Sequence, residues 1–447
     1  DMPHADSRSR LACGVRSRCV LSVALVMSGG LAFGEPWPSW RGLRQDGTTP
    51  EKVFPLHWSP TSNVLWKVAL PDRGNSTPVV WSNTVFITQG ITKPSQRGVF
   101  AYDRRTGENL WQTSVLWELP ESTHEDNPYC AASPVTDGQR VIAYFGSAGV
   151  YSVAYDGAIE WRREFTPQKH EWGYASSPVM LGDRVYVYHG PGPGARLLAL
   201  NKRSGSVAWQ VDLPEPVPGE RTDGFKGRSP GMVGSFSTPL VMEGGGGQAS
   251  QVVMSLPELL RSFDAATGKE LWRAGGLNPL VYTSPTRAGD LVVAMGGFFG
   301  STVAVRPEGQ GDVTATQVAW REERAKKNRI GSPVFRDGHL FVMNAEGFLE
   351  CIEAATGRQL WEERLNGPGA KDGTWASPVL VGDRIYALNA SGDGFVIRAS
   401  PKFEVLATNT VAEAMNASPA LSDGDLFIRT WTSLWCISEK PRLPGAR

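Results

Sequence analysis

Hydrophobic residues in this chain occur in short runs separated by turn residues. Typical runs are Arg184–Tyr188 (Arg-Val-Tyr-Val-Tyr) and His339–Met343 (His-Leu-Phe-Val-Met), which are rich in the β-branched and aromatic residues that favour strands. No comparably long run has the 3.6-residue period of an amphipathic helix. The pattern predicts an all-β protein.

A Ser-Pro dipeptide, extended to Ser-Thr-Pro in two places, opens an apolar run eight times. The prolines are Pro78, Pro134, Pro178, Pro239, Pro285, Pro333, Pro378 and Pro419. Their spacing of roughly 40–60 residues is typical of repeats that bury their faces only against neighbouring repeats. The sequence therefore predicts a repeat array.

Each repeat shows the same order of signals: the Pro strand, a tight turn, two further strands, a second turn and a strand with tryptophan. The first turn is Asp-Gly or Gly-Asp, as at Asp137-Gly138 and Gly382-Asp383. These residues supply the positive φ that two-residue hairpins require. Four strands per repeat make a propeller blade, so we predict an eight-bladed β-propeller of four-stranded antiparallel blades.

The second turn is best preserved in Ala101–Trp111, Asp264–Trp272 and Ala354–Trp361. Aspartate and threonine oxygens can accept turn amides there, and glycine takes the left-handed conformation. We expect the tryptophans in this position to dock each blade onto its neighbour: Trp66, Trp111, Trp161, Trp209, Trp272, Trp320 and Trp361. Burial of one ring is worth about 4–6 kcal/mol as an upper bound.

The two ends of the chain complement each other. The Pro419 repeat stops near Ile437 without a tryptophan strand, whereas Val64–Val68 (Val-Leu-Trp-Lys-Val) precedes the first Pro strand. We therefore expect the N-terminal strand to close the eighth blade. Because a propeller grows laterally, residues 35–438 form one predicted domain, followed by a tail at 439–447.

The repeat Ala-x-Asp-x-x-Thr-Gly-x-x-x-Trp resembles that of the pyrroloquinoline-quinone-like (PQQ-like) β-propeller family, secreted bacterial type, over nearly all of the chain after residue 34. A WD40 propeller is the rival fold, but no Gly-His or Trp-Asp pair recurs in phase. The resemblance implies one of two functions. One is a non-catalytic binding scaffold, like the outer-membrane assembly scaffold that shares these repeats. The other is a PQQ-dependent alcohol or sugar dehydrogenase.

The first 34 residues have the features of a secretory signal peptide. Arginines between Arg8 and Arg18 precede the apolar stretch Cys19–Phe33, and the small residues Ala32 and Gly34 satisfy the cleavage rule. The stretch is shorter than the about 20 residues of a membrane span, so a membrane anchor is the weaker alternative. We predict cleavage after Gly34, a periplasmic or secreted protein and no transmembrane anchor after cleavage.

Composition narrows the functional classes. The 447 residues contain 45 Lys plus Arg and 45 Asp plus Glu, so no basic excess favours nucleic acid. Only Cys130, Cys351 and Cys436 follow the leader, which excludes a dense disulfide framework. The sequence contains no His-Glu-x-x-His, Cys-x-x-Cys or Gly-x-Ser-x-Gly motif. No catalytic residue is predicted.

The loops that lead from the outer strand of one blade to the inner strand of the next should gather at one mouth of the central channel. The candidate binding residues in these loops are His124, Glu125, Asn127, Tyr129, His170, Glu171, Trp172, Lys371, Asp372 and Trp375. Convergent polar and aromatic groups are typical of a pocket for a protein or small-molecule ligand. Trp172 and Trp375 either stack on a planar ligand or pack over the neighbouring blade.

Two readings of the ionisable loop residues remain open. The pairs His124-Glu125 and His170-Glu171 either approach one another and bind a divalent metal or order the loops by hydrogen bonds.

The family resemblance implies PQQ and calcium as alternative cofactors, the calcium held by Glu, Asn and Asp. Asn127, Glu171 and Asp372 lie in suitable loops, but the adjacent cysteine pair of those dehydrogenases is absent. We therefore favour the binding scaffold over the dehydrogenase.

Overall fold

The computed structural model describes residues 34–218, 221, 223, 232–323 and 328–440. The predicted signal peptide up to residue 33 and the tail from residue 441 lie outside the described residues. The described residues form strands, turns and one 3₁₀ turn at Gly146–Ala148, with no α-helix among them. No helix in this part of the chain is long and apolar enough to cross a membrane.

The strands form eight small antiparallel sheets, which confirms the eight-bladed propeller. Blades 1 to 4 consist of Val79–Trp81, Thr84–Ile91, Gln96–Asp103 and Asn109–Leu116; Val135–Thr136, Arg140–Tyr144, Val150–Ala154 and Ile159–Arg163; Val179–Leu181, Arg184–His189, Arg196–Asn201 and Val207–Asp212; and Leu240–Met242, Gln251–Leu256, Leu259–Asp264 and Glu270–Gly275.

Blades 5 to 8 follow the same order from the channel outwards. They consist of Thr286–Ala288, Leu291–Met295, Thr302–Val305 and Val318–Glu322; Val334–Arg336, His339–Met343, Phe348–Glu353 and Gln359–Arg364; Val379–Val381, Arg384–Leu388, Asp393–Arg398 and Val405–Thr410; and Ala420–Ser422, Asp425–Arg429, Ser433–Ile437 and Val64–Ala69. Four short additional strands pair in parallel: Thr48–Thr49 with blade 7, Gly311–Asp312 with blade 4, and Gly234–Ser235 with Leu280–Val281.

Blade 8 is closed by the N-terminal strand, as predicted. Val64–Ala69 pairs antiparallel with Ser433–Ile437, with Trp66 opposite Cys436. Because both ends of the chain contribute to one sheet, the ring closes without a covalent link and leaves no gap between the last blade and the first.

The hydrophobic core lies between adjacent blades rather than at one centre. Between blades 3 and 4, for example, Tyr186, Leu197 and Trp209 pack with Val252 and Phe263. Each sheet thus buries both faces against its neighbours, which explains the nearly continuous apolar runs in the second and third strands.

Outer-strand tryptophans contact the second turn of the next blade. Their indole N–H groups donate to backbone carbonyl oxygens as follows: Trp66 to Arg104 at 2.7 Å, Trp111 to Tyr155 at 2.8 Å, Trp161 to Lys202 at 3.0 Å, Trp209 to Ala265 at 3.0 Å, Trp320 to Ala354 at 2.7 Å and Trp361 to Ser400 at 3.2 Å. At Gly268, φ is 75° and an added Cβ would lie 2.6 Å from the Trp209 ring. Glycine is therefore required there for conformation and for space.

Trp272 makes this link indirectly. Its indole N–H donates to Gln251 Oε1 at 2.9 Å, and Gln251 Nε2 donates to the carbonyl oxygen of Pro307 at 3.1 Å. Blade 5 lacks the Thr-Gly turn and has Arg306-Pro307 instead. A glutamine therefore spans the distance between the ring and the altered turn.

The segment from Trp37 to Thr49 lies across the channel at the end away from the mouth loops. Trp37 exchanges backbone hydrogen bonds with Val80, and the carbonyl oxygen of Pro38 accepts the Thr136 amide at 2.9 Å. These partners follow the Ser-Pro dipeptides, whereas the mouth loops precede them. The sequence did not predict that this segment, the far-end segment, covers the channel.

Arg41 anchors the far-end segment. Its guanidinium donates to the carbonyl oxygens of Pro378 at 2.7 Å and Pro333 at 2.9 Å, and so connects two blades. Burial lowers the Arg41 pKa to about 10, partly offset by the charge of Asp46. The cation is held mainly by carbonyl dipoles.

Candidate functional site

A cavity of about 340 Å³ occupies the channel mouth, with Trp40 of the far-end segment at its base. One residue from every blade faces it, three positions before each repeat proline: Asn75, Ala131, Ala175, Phe236, Tyr282, Ile330, Trp375 and Asn416. Because strand side chains alternate, the residue directly before the proline also faces inwards. The cavity wall is therefore encoded in the repeat.

The residues directly before the prolines form an incomplete ring of hydrogen bonds, the interblade ring, below these side chains; its seven bonds run from blade 1 to blade 8. In each step a backbone N–H donates to the hydroxyl oxygen of the next blade at 2.8–2.9 Å: Thr77 to Ser133, Ser133 to Ser177, Ser177 to Thr238, Thr238 to Ser284, Ser284 to Ser332, Ser332 to Ser377 and Ser377 to Ser418. These bonds explain the serine or threonine before proline in seven of the eight repeats; the Thr77 hydroxyl has no partner among the described residues.

Blades 4, 5 and 7 supply an aromatic wall. The Phe236 ring is nearly parallel to the rings of Trp172, at 27°, and Tyr282, at 15°. Trp375 stands at 66° to Tyr282 and at 69° to Phe298, with centroids 6.2 and 6.1 Å apart. Phe298 also stands at 75° to Tyr282, so the aromatic wall forms a corner rather than a flat surface.

Tyr282 has a buried hydroxyl oxygen with no hydrogen-bond partner among the described residues. Burial and the nearby charge of Asp223 raise the pKa of this phenol well above its usual value, so it is neutral at physiological pH. Asp223 itself forms a bidentate pair with Arg221, at 3.0 and 2.8 Å. The Tyr282 hydroxyl is therefore a neutral group in the aromatic wall.

The opposite wall is polar and belongs to blades 8 and 1. Asn75 Nδ2 donates to the Asp126 carbonyl oxygen at 2.6 Å, while Asn75 Oδ1 is buried without a partner in the described part of the chain. The Asp126 carboxylate lies 3.6 Å from His124 Nδ1. Among the described residues, Asp126 is the only acidic residue that lines the cavity, and no lysine or arginine does so.

Four of the predicted site residues line this cavity: His124, Asn127, Trp172 and Trp375. Asn127 Nδ2 donates to the carbonyl oxygens of Trp172, at 2.7 Å, and Tyr174, at 3.2 Å. Asn127 therefore joins two mouth loops, and its amide hydrogens point at backbone rather than at the cavity.

Two further predicted residues order the loops beside the cavity. The Tyr129 hydroxyl donates to the Glu121 carbonyl oxygen at 2.6 Å. His170 accepts the Trp172 amide at Nδ1, 3.2 Å away, and its Nε2 lies 3.1 Å from the Val233 carbonyl oxygen. Burial lowers the His170 pKa, so the ring is neutral. These contacts match the loop-ordering alternative.

The other four predicted residues do not line the cavity: Glu125, Glu171, Lys371 and Asp372. Glu125 and Glu171 are exposed. The Lys371 amide donates to Ser391 Oγ at 2.9 Å, and Asp372 pairs with Arg364 at 3.0 Å. Among the described residues, the group that could hold a metal is His124, Glu125 and Asp126 rather than two His-Glu pairs.

The residues present do not fit the quinone and calcium that the resemblance implied. Of the expected calcium ligands, only Asn127 lines the cavity, whereas Glu171 and Asp372 do not. Pyrroloquinoline quinone carries several carboxylates, whereas the cavity offers one carboxylate and no described basic side chain. Cys130, Cys351 and Cys436 are separate and buried.

A comparison with protein-family models decides the family. The model described as outer membrane protein assembly factor BamB matches residues 57–244 and 256–438. The chain belongs to this family. A BamB of Yersinia pestis is 22% identical over 375 residues, which is 70% of this chain and 86% of that protein.

Solved structures show the same fold. BamB from Moraxella catarrhalis superposes with a TM-score of 0.57 at 14% identity, covering 84% of this chain and 97% of that one. A quinohemoprotein alcohol dehydrogenase, ADHIIG, from Pseudomonas putida HK5 superposes with a TM-score of 0.60 at 12% identity, covering 92% of this chain and 82% of that one. At these identities the likeness extends to the fold alone.

Proposed function

We propose that this BamB-family chain is a non-catalytic, periplasmic or secreted scaffold that holds a protein partner at the mouth of its channel. The observation that carries the proposal is the aromatic-walled cavity at the centre of a face built from loops. Binding energy at protein interfaces concentrates in central, desolvated pockets of this kind, surrounded by a polar rim. The exposed loop residues Glu125, Glu171 and Lys371 supply such a rim.

The chemistry of the described cavity residues supports binding rather than catalysis. Its serine hydroxyls accept backbone amides in the interblade ring, and no histidine nitrogen is paired with one of them. His124 Nδ1 accepts the Asp126 amide at 3.1 Å. Thus no described residues of the cavity form a catalytic set in which a nucleophile contacts a base and the base contacts an orienting group.

The named relatives support the setting. The family description refers to assembly of outer-membrane proteins, a process of the cell envelope that requires protein partners. We propose that residues 1–34 direct the chain there as a cleaved signal peptide and that residues 35–438 are the functional domain. N-terminal sequencing of exported protein should give Glu35 as the first residue; material that still contains the stretch before Gly34 would contradict the cleavage site.

The scaffold role can be tested by site-specific photocrosslinking in cells. A photoreactive amino acid replaces exposed Glu171 at the mouth or exposed Asp183 at the opposite end of the same blade. We expect a discrete crosslinked protein at position 171, absent at 183 and lost when Trp172 and Trp375 are changed to alanine. Equal crosslinking at both ends would contradict a mouth-specific scaffold.

An enzyme assay tests the alternative function, a quinone-dependent dehydrogenase. We expect no quinone-dependent dye reduction with alcohols or sugars, with or without calcium. Turnover that disappears on Glu171→Gln or Asp372→Asn would replace the scaffold by the dehydrogenase.

A further inference from the structure

The charge and ring geometry of the cavity are specific enough to define a ligand class. Three of its aromatic rings, those of Tyr282, Phe298 and Trp375, are steeply inclined to one another. Aromatic faces attract cations through the ring quadrupole when the charge lies within about 6 Å of the centroid. A corner of several rings is the arrangement used to bind alkylammonium groups.

The polar atoms of the cavity favour the same ligand. The Asp126 carboxylate is 34% exposed and faces His124 rather than a basic side chain. A cation that enters the cavity meets the Asp126 carboxylate and the π faces of the rings.

An anion would meet the opposite conditions. It would be placed next to Asp126 and the negative faces of the rings. A neutral apolar ligand would contact the aromatic wall but would have no charge to attract the Asp126 carboxylate. Of these three kinds of ligand, only an ammonium group is attracted by both the aromatic wall and the polar wall that carries Asp126.

We propose that the cavity binds an organic ammonium group, with Trp172, Tyr282 and Trp375 around the cation and Asp126 as its counter-charge. This inference rests on the proposed function, because the ammonium group is what the bound partner or ligand would insert into the same cavity. The group can come from a free alkylammonium compound or from a lysine side chain of a partner. The cavity volume of about 340 Å³ accommodates either one.

Titration calorimetry on the full mature chain tests the ligand class with matched probes. The probes are choline, its neutral carbon isostere 3,3-dimethylbutan-1-ol, and N-acetyl-lysine methylamide. We expect at least one ammonium probe to bind about tenfold more tightly than the isostere. Tighter binding of choline than of the lysine probe indicates a free ammonium compound, and the reverse indicates a partner's lysine.

Variants assign the binding to the cavity. Asp126→Asn should weaken ammonium binding about fivefold, whereas Asp290→Asn, in an exposed turn at the opposite end, should not change it. Trp172→Ala should weaken binding, and Trp172→Phe should restore much of it because a π face remains. Circular dichroism melts confirm that each variant is folded.

Equal binding of the isostere, or no binding of either ammonium probe to the folded protein, would overturn the proposal. The photocrosslink from position 171 is independent of these probes. If the crosslink forms but no ammonium probe binds, the proposed ligand class is wrong and the scaffold role stands. If an ammonium probe binds but no crosslink forms, the scaffold role is wrong.

Discussion

At the scale of single residues, buried polar groups are held by specific partners that fix their protonation. His189 is fully buried between blades 2 and 3; its Nδ1 lies 2.9 Å from the Tyr144 hydroxyl and its Nε2 lies 3.1 Å from the Thr166 carbonyl oxygen. A carbonyl oxygen can only accept, so Nε2 carries the proton and Nδ1 accepts from Tyr144. The site is built for a neutral imidazole.

This arrangement predicts acid sensitivity. Burial, with a smaller contribution from the charge of Arg196, lowers the His189 pKa from 6.5 to about 4. As pH falls below 6.5 the unfolded chain gains a proton that the folded chain does not, so stability is lost until about pH 4. Urea unfolding at pH 7 and pH 4.5 should show a loss of about 2–3 kcal/mol that His189→Gln largely abolishes. An unchanged loss in that variant would contradict the assignment.

The tryptophans separate into structural and mouth positions. Trp272 is 1% exposed and bonded to Gln251, so Trp272→Ala should lower the free energy of unfolding by about 3–5 kcal/mol. Trp172 is half-buried at the mouth, and Trp172→Ala should leave the melting temperature nearly unchanged. Thermal melts of the two variants check this difference; similar losses in both would show that the mouth ring is also structural.

At the scale of elements, the Ser-Pro repeat performs two structural tasks. Proline directly precedes the innermost strand, so its missing N–H removes no bond from the strand ladder. Serine accepts an amide from the preceding blade, as Ser284 does from Thr238 at 2.8 Å. The ring of these contacts ties the inner strands together where no side-chain core exists.

Removal of one hydroxyl should therefore weaken two blades at once. Ser284→Ala leaves the buried Thr238 amide unpaired and should cost about 1–3 kcal/mol, with faster hydrogen exchange at that amide. Ser284→Thr should retain stability, because Thr238 performs the same role towards Ser177 at 2.9 Å. If the alanine and threonine variants exchange and melt alike, the ring does not contribute.

Local sequence patterns predicted the blades because the hydrogen bonds that shape each turn join residues close together in the sequence. Asp103 Oδ1, for instance, accepts the amides of Arg105 and Thr106 within one turn, and its sequence signature is contiguous. Trp172 and Trp375 were predicted as mouth residues, but Phe236, Tyr282 and Phe298 were not, because these rings meet Trp172 and Trp375 only across blades. A signal nevertheless exists: extending the strand alternation back from each proline by three residues identifies one cavity residue per blade.

At the scale of the whole molecule, the propeller is closed by non-covalent strand pairing, and the two ends of the described domain meet at blade 8. Ser422 Oγ donates to the Glu35 carbonyl oxygen at 2.8 Å, and Lys440 Nζ lies 2.8 Å from Asp423 Oδ2. The far-end segment was not predictable from the repeat, because Trp37–Thr49 has no equivalent in the other blades. Its partners become apparent only when the blades are arranged around the channel.

This proximity allows ring closure to be tested without removing any strand. A circular permutant joins Lys440 to Glu35 through a short Gly-Ser linker and opens the chain between Gly245 and Gly246, where an added Cβ would meet nothing within 4 Å. It should melt cooperatively near the parent temperature, since every blade keeps four strands. Deletion of residues 35–70 exposes the edge of Ser433–Ile437 and removes Trp66, so that variant should aggregate. Light scattering and calorimetry distinguish the two variants, and a deletion variant that stays monomeric and melts like the parent would show that the N-terminal strand is dispensable for closing the propeller.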